Sequence, residues 1–263
     1  MIGVVRSEWV KLRRPAYLWV PFGLTIAFTL LFTIVPILSA VRVPDPKSGS
    51  DTILVSDLTD SHGAVLSVNA VYGLIAMIAL VIFAAAVATE YSNGTIRNLL
   101  IREPRRVRLM LFRWLGLISW AALLVFVFVV VGVVSGLVTM GTQGYSTSEW
   151  FGSAGLQHTG STFIYLCLAL SLFATFGSIL ALLLKSSVAS IGIGIAWFLI
   201  VENLLGALVS GTNDWLPGNI ITSVAHGGDD AHGFWDALAL IAGYIAVLGG
   251  ASLALFSRND VSS

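Results

Sequence analysis

The chain has 263 residues, 57% hydrophobic and only 11% charged, with zero net charge and a mean hydropathy of +0.91. Soluble domains carry about 25% charged residues, so this sequence lacks the polar surface of a water-soluble globule and reads as an all-α integral membrane protein. The total charge excludes no partner; its placement along the chain is what carries information.

Residues 1–16 predict an amphipathic interfacial helix. Ile2, Val5, Trp9 and Leu12 recur at three- and four-residue spacing, while Arg6, Lys11, Arg13 and Arg14 fall on other faces. Trp9, Lys11, Arg13 and Arg14 are its candidate membrane-surface anchors, in a topological or a docking role. The basic residues are spread out and no small-residue cleavage site follows them, which argues against a signal peptide. Pro15 then breaks the helix before the first span.

Six apolar runs predict transmembrane helices at 17–40, 65–89, 114–139, 162–184, 188–209 and 234–256, within a single domain spanning 1–263. Each run has 22 to 26 residues, enough to cross a hydrocarbon layer of about 30 Å with some tilt. Between the second and third runs, residues 90–113 hold six of the eleven arginines: Arg97, Arg102, Arg105, Arg106, Arg108 and Arg113. Ile96, Leu99 and Leu100 share one side of a short helix, and Pro104 suits the first position of the next. Nucleic acid is a poor partner for this segment, which is tethered at both ends by spans and has no stacking aromatics among its arginines. Phosphate headgroups of the lipid bilayer suit the arginines beyond Pro104.

Gly132 and Gly136 in the third run, and Gly192 with Ala196 in the fifth, let helices approach closely, with packing inside one chain the plainer use. Cys167 has no cysteine partner and reads as a small packing residue. Glu202 is the one formal charge in the middle of a run. A carboxyl at that depth usually faces a bundle interior, a partner or a water path. Glu202 and its neighbour Asn203 are therefore pathway or interface candidates, a Glu–Asn pairing being the plain alternative. In "HGGDDAHG", His226, Asp229, Asp230 and His232 have metal-ligating side chains. Glycines beside charges are equally ordinary turn chemistry, the ligand set is incomplete, and no metal is expected.

Twelve of the fourteen basic residues fall on the side holding the N-terminus and the 90–113 segment, while the opposite loops hold nine acids and only Arg42 and Lys47. By the positive-inside rule both termini are cytoplasmic. Trp19 and Trp114 near the inner ends, and Trp150, Trp215 and Trp235 near the outer ends, suit the interfacial preference of indole. Catalytic patterns are absent: none of the three lysines follows a glycine, so the chain has no phosphate-binding loop, and it has no H-E-x-x-H or G-x-S-x-G. No catalytic residue and no cofactor are expected in this chain.

"EYSNGTIRNLLIREPRR", residues 90–106, resembles the loop after the second span in permease subunits of type-2 ABC transporters, which carries an acid, a Gly-Thr pair and a Pro-Arg turn. The N-terminal "EWVKLRRP", the six spans and "DWLPGN" at 214–219 before the last span extend the similarity. The resemblance implies a compact bacterial permease of the export type, multi-pass in the cytoplasmic membrane. Residues 90–101 would be a cytoplasmic coupling helix seated in a separate ATP-binding subunit, with Glu90, Asn93, Gly94, Thr95, Arg97, Leu100, Pro104 and Arg105 in the coupling surface. It further implies two ATP-binding subunits holding ATP and Mg, and a second permease copy or paralogue. The cargo would be a hydrophobic or amphipathic small molecule, drug, peptide or lipid. An ATP-independent carrier or a membrane-anchored sensor is the alternative; a carrier would carry ionisable residues in several spans or matched helix breaks.

Overall fold

The computed structural model describes residues 9–10, 12–13, 15–40, 53–92, 106–209 and 211–258. Among these residues the fold is helical, without strands. Six helices are long and apolar enough to cross a membrane: Leu18–Ser39, Gly63–Thr89, Leu111–Thr142, Ser153–Leu184, Ser187–Leu208 and Phe234–Leu255.

The first span lies in α1 (Pro15–Ser39), which contains Pro21 and Pro36. A five-residue helix, α2 (Val55–Thr59), precedes α3 (Gly63–Ser92). α4 (Arg106–Thr142) is the longest helix described at 37 residues, about 55 Å at 1.5 Å per residue. α5 (Ser153–Leu184) turns through Lys185 and Ser186 into the fifth span. That span is segmented into α6 (Ser187–Ile195), a π-helical turn (Ala196–Val201) and α7 (Glu202–Leu208). A further helix, α8 (Pro217–His226), precedes α9 (Phe234–Arg258).

α4 begins eight residues before the predicted run at 114, and α5 nine residues before 162. Hydropathy marks the part of a helix that sits in hydrocarbon, whereas backbone hydrogen bonding continues past it. In the largely exposed first turns of α5, Gly155 is buried against the preceding turn. A Cβ on Gly155 would lie 2.4 Å from the carbonyl oxygens of both Glu149 and Trp150.

α3 is the hub, packing most extensively along α5 and also against α6, α4 and α1. Small residues make this close approach possible. Ala76, Ala79 and Ala84 of α3 and Ala169, Ala174 and Ala181 of α5 are fully buried, and a Cβ on Gly177 would lie 2.5 Å from Leu80 O. Leu80, Phe83, Trp120, Leu124, Phe128, Leu166 and Leu170 fill the space around that seam.

A second, smaller core caps the end of the bundle away from the arginine-rich segment, here called the distal end. Ile37, Leu58, Ala64, Met140 and Trp150 form it. Trp150 was expected at the membrane interface but is 3% exposed, with its indole Nε1 donating to Leu58 O at 2.9 Å. Burial with a satisfied N–H outweighs the interfacial preference, which Trp215 and Trp235 keep at 60% and 76% exposed. Gly136 faces the Trp150 ring and Gly132 faces Val68, so this G-x-x-x-G packs within the chain. Gly192 in the fifth span is exposed, and a Cβ there would meet nothing within 4 Å.

Candidate functional site

The π-helical turn at Ala196–Val201 widens the helix by one residue, so side chains five apart meet where four is the usual spacing. It thereby brings Trp197 to Glu202, the indole Nε1 donating to Oε1 at 2.8 Å. Glu202 is only 3% exposed. Its carboxylate also accepts the backbone N–H of Gly218, at 3.1 Å to Oε1 and 2.9 Å to Oε2.

Gly218 belongs to the first turn of α8, where N–H groups have no acceptor within the helix. The residue in the capping position, Leu216, has no side-chain acceptor, and Pro217 at the first helical position has no N–H to satisfy. Glu202 therefore serves as the N-terminal cap of α8 from a different span. Its negative charge meets the positive end of the helix dipole, a contact that strengthens where water is excluded. Glycine is needed at 218, since a Cβ would lie 2.3 Å from Glu202 Oε2 and 2.8 Å from Phe198 Cδ1. The result is a polar clamp that fixes α8 to the distal half of the fifth span.

α8 buries Gly218, Ile220, Ile221, Ser223, Val224 and Ala225, and packs on α5 and α9. It ends in a Schellman motif. Gly227 is left-handed at φ 82°, its N–H donates to Val224 O at 3.2 Å, and the Gly228 N–H donates to Ser223 O at 2.9 Å. The glycine pair of "HGGDDAHG" is thus a helix terminator. Asp229 then accepts the N–H groups of Ala231 and His232 at 3.0 and 2.8 Å. The slight burial of Asp229 pushes its carboxyl up, but these N–H groups outweigh it and hold the group below the usual carboxylate range.

Beside the clamp lies a polar cavity of about 430 Å³ whose lining includes Asn203, Asn213, Asp214, Asn219, Asp229 and His232. The structure thus brings together four residues singled out in the sequence: Glu202 under the α8 terminus, and Asn203, Asp229 and His232 around the cavity. The expected Glu202–Asn203 pairing is not the observed one. The Asn203 amide donates to Leu199 O at 3.0 Å, because i to i−4 geometry puts a backbone carbonyl within its reach. His226 and Asp230 do not line the cavity. The His226 ring sits on the α3 side, its centroid 6.3 Å from that of Tyr72. No group of three or more His, Cys, Asp or Glu residues is placed to hold a metal ion among the described residues.

At the opposite, proximal end, Asn93, Gly94, Thr95, Arg97, Leu100, Pro104 and Arg105 lie outside the described residues, as do Lys11 and Arg14; Glu90 is within α3. Trp9 donates to Ser119 Oγ at 2.9 Å, Leu12 is 2% exposed in the main core, and Arg13 is exposed. Arg113 is buried, and its Nη2 donates to Ala86 O of α3. Cys167 is a free, partly buried thiol packed against the core.

The family profile that matches this chain covers residues 54–262, from α2 through the last helix and with it every residue of the clamp and the cavity. The chain belongs to the DUF2705 family. That family is described as proteins of unknown function. Comparison with curated proteins and with solved structures returned no match. In this DUF2705 chain the clamp is the feature that sequence reading could only half find. Glu202 stands out as a buried charge, but its partner is 16 residues away and is a backbone N–H, which carries no residue-type signal. A Pro-Gly pair after a polar turn is the one cue, since it suits a helix start.

Proposed function

We propose that the chain is the membrane-spanning permease subunit of an ATP-binding-cassette transporter of the type-2 class, with ATP hydrolysed on a separate subunit. Both termini and the 90–113 segment face the cytoplasm, the first 16 residues form an interfacial elbow, and residues 90–101 form the coupling helix. The supporting observation is mechanical. α3 and α4, which flank residues 93–105, are each unbroken over 30 and 37 residues and reach the distal cap. A push on the connecting segment therefore travels along two stiff helices, one of which is the packing hub of the bundle. The "DWLPGN" stretch of the resemblance supplies Pro217 and Gly218 at the clamped start of α8, on the path such a movement would take.

An ATP-independent carrier is disfavoured by the same clamp. Its single mid-span carboxylate is engaged by Gly218 and Trp197, where a carrier would need it for ion or proton exchange. The test is co-purification of the native chain followed by ATP turnover. A stoichiometric nucleotide-binding subunit is expected, and replacing Gly94 and Arg97 together should lower its retention or its substrate-stimulated turnover by about tenfold, the effect of losing roughly 1.4 kcal/mol of interface, while membrane insertion is unchanged. Full turnover in the double variant would remove the coupling assignment, and absence of any nucleotide-binding partner would remove the transporter reading.

A further inference from the structure

We propose that His62 and His158, at the distal end, form a two-imidazole binding site for one divalent transition-metal ion of the zinc or copper class. The two rings come from separate elements and meet with centroids 3.6 Å apart and planes tilted by 37°. Neutral imidazole suits both metals. Two such ligands on a tetrahedral ion place their nitrogens about 3.3 Å apart, given bonds of roughly 2.0–2.1 Å. The separation of the rings is already of that size. The His62 side chain is 57% exposed, so it can turn about its broad terminal torsion to bring both lone pairs to one ion.

The meeting of the rings is built into the distal cap. His62 ends the turn before α3, where the Gly63 N–H donates to Asp60 O at 2.9 Å and the Val65 N–H to His62 O at 3.1 Å. A Cβ on Gly63 would lie 2.7 Å from Trp150 Nε1, so the backbone beside His62 is pressed onto the cap. His158 follows Gly155 by one turn of α5, and Gly155 sits against the Trp150 carbonyl. Both histidines therefore project from backbone seated on the same tryptophan. A metal ion between them would staple the start of α3 to α5.

Charge favours a cation at this place. Asp60 Oδ2 lies 3.6 Å from His62 Nδ1, and the Ser61 backbone N–H holds the Asp60 carboxyl below the usual carboxylate range. A carboxylate on that side favours the proton on Nδ1 and leaves the Nε2 lone pair for a metal, as outer-shell carboxylates do around ligating histidines. Residues 53–92 and 143–184, which supply both rings, contain no lysine or arginine to repel an ion. No third His, Cys, Asp or Glu completes the set among the described residues, so water takes the remaining positions and the site is of the open kind. It is separate from the "HGGDDAHG" residues, where His226 ends α8 and His232 lies in the loop beyond it. The inference does not rest on the transporter reading, because it concerns the distal surface and not ATP-driven movement.

The test is isothermal titration calorimetry of the full chain in detergent, stripped with EDTA and free of any histidine tag, against zinc chloride. One saturable site per chain is expected. His62→Gln and His158→Gln should each weaken it by at least about tenfold, since losing even an outer-shell partner costs about 10–100-fold. With copper as the probe, electron paramagnetic resonance should show coupling to two imidazole nitrogens in the native chain and to one in either variant. His62 is exposed and His158 half-buried, so glutamine fits at both, and thermal unfolding without metal checks that each variant is folded. His226→Gln combined with His232→Gln should change neither readout. Absence of a saturable zinc site in the native chain would overturn the proposal, as would native affinity in either single variant. Loss of binding in the His226 and His232 double variant would also overturn it, by moving the metal to the loop after α8.

Discussion

α5 runs unbroken for 32 residues and buries 61% of its most apolar window, whereas the next span is broken into three pieces and buries 22%. Both are apolar sequences of similar kind, joined by a two-residue turn at Lys185 and Ser186. α5 is held by close backbone approach to α3, so its small residues face inward and its position follows from shape. The fifth span leaves Ile193, Leu199, Ile200, Leu204 and Leu208 exposed and is tied at its distal half by one polar clamp. In a membrane, apolar side chains gain little by leaving lipid, so position has to come from packing or from hydrogen bonds. α5 shows the first, and the fifth span adds the second: its proximal half, α6, packs on α3 and α5, while its distal half is tied by the clamp.

The largest expected effect is on the packed span. Gly177→Leu places a side chain where a Cβ alone would be 2.5 Å from the backbone of Leu80, which cannot yield without separating α3 and α5. A loss of about 3 kcal/mol is expected, at the upper end of overpacking costs, read as a lower midpoint in detergent-induced unfolding. An unchanged midpoint would mean that the α3–α5 seam is not what fixes α5.

Next comes the clamp. Glu202→Ala leaves the start of α8 uncapped and should cost about 1.5–3 kcal/mol, the range for hydrogen bonds to a charged group. Gly218→Ala should also destabilise, and part of its cost should vanish in the Glu202→Ala background, because the nearest clash is with that carboxylate. Strict additivity in this double-mutant cycle would show that the two residues are not in contact. The smallest effect belongs to the exposed face: Ile200→Ala, at a site 63% exposed, should change stability by less than about 0.5 kcal/mol. A larger change accompanied by loss of an oligomer would show that the fifth span is covered by a second copy of the chain.

Much of the fold was legible before any coordinates. The six runs correspond to the six candidate spans because hydrocarbon demands long apolar helices, and that demand is written in composition. Helix ends were unevenly legible: Pro104 marked a helix start close to that of α4, whereas the start of α5 was missed because its first turns are polar, and polarity hides a helix from hydropathy without preventing it. α8 was missed for a related reason. At ten residues it is too short to register as a span, and six of them are buried against protein rather than lipid. Trp150 was misplaced because a tryptophan near a span end has two favourable settings, and only the position of Leu58 O selects between them.

The sequence by itself determined six helices long and apolar enough to cross a membrane, where the charge is concentrated, and that Glu202 needs a partner. Only the tertiary structure decided what that partner is, which glycines face backbone and which face open space, and that Arg113 reaches the Ala86 carbonyl of α3. The division has a physical cause. Solvation by lipid or water acts on each residue's own chemistry, so it can be read along the chain. Close packing and capping depend on distances between segments far apart in sequence, often to backbone atoms that every residue shares.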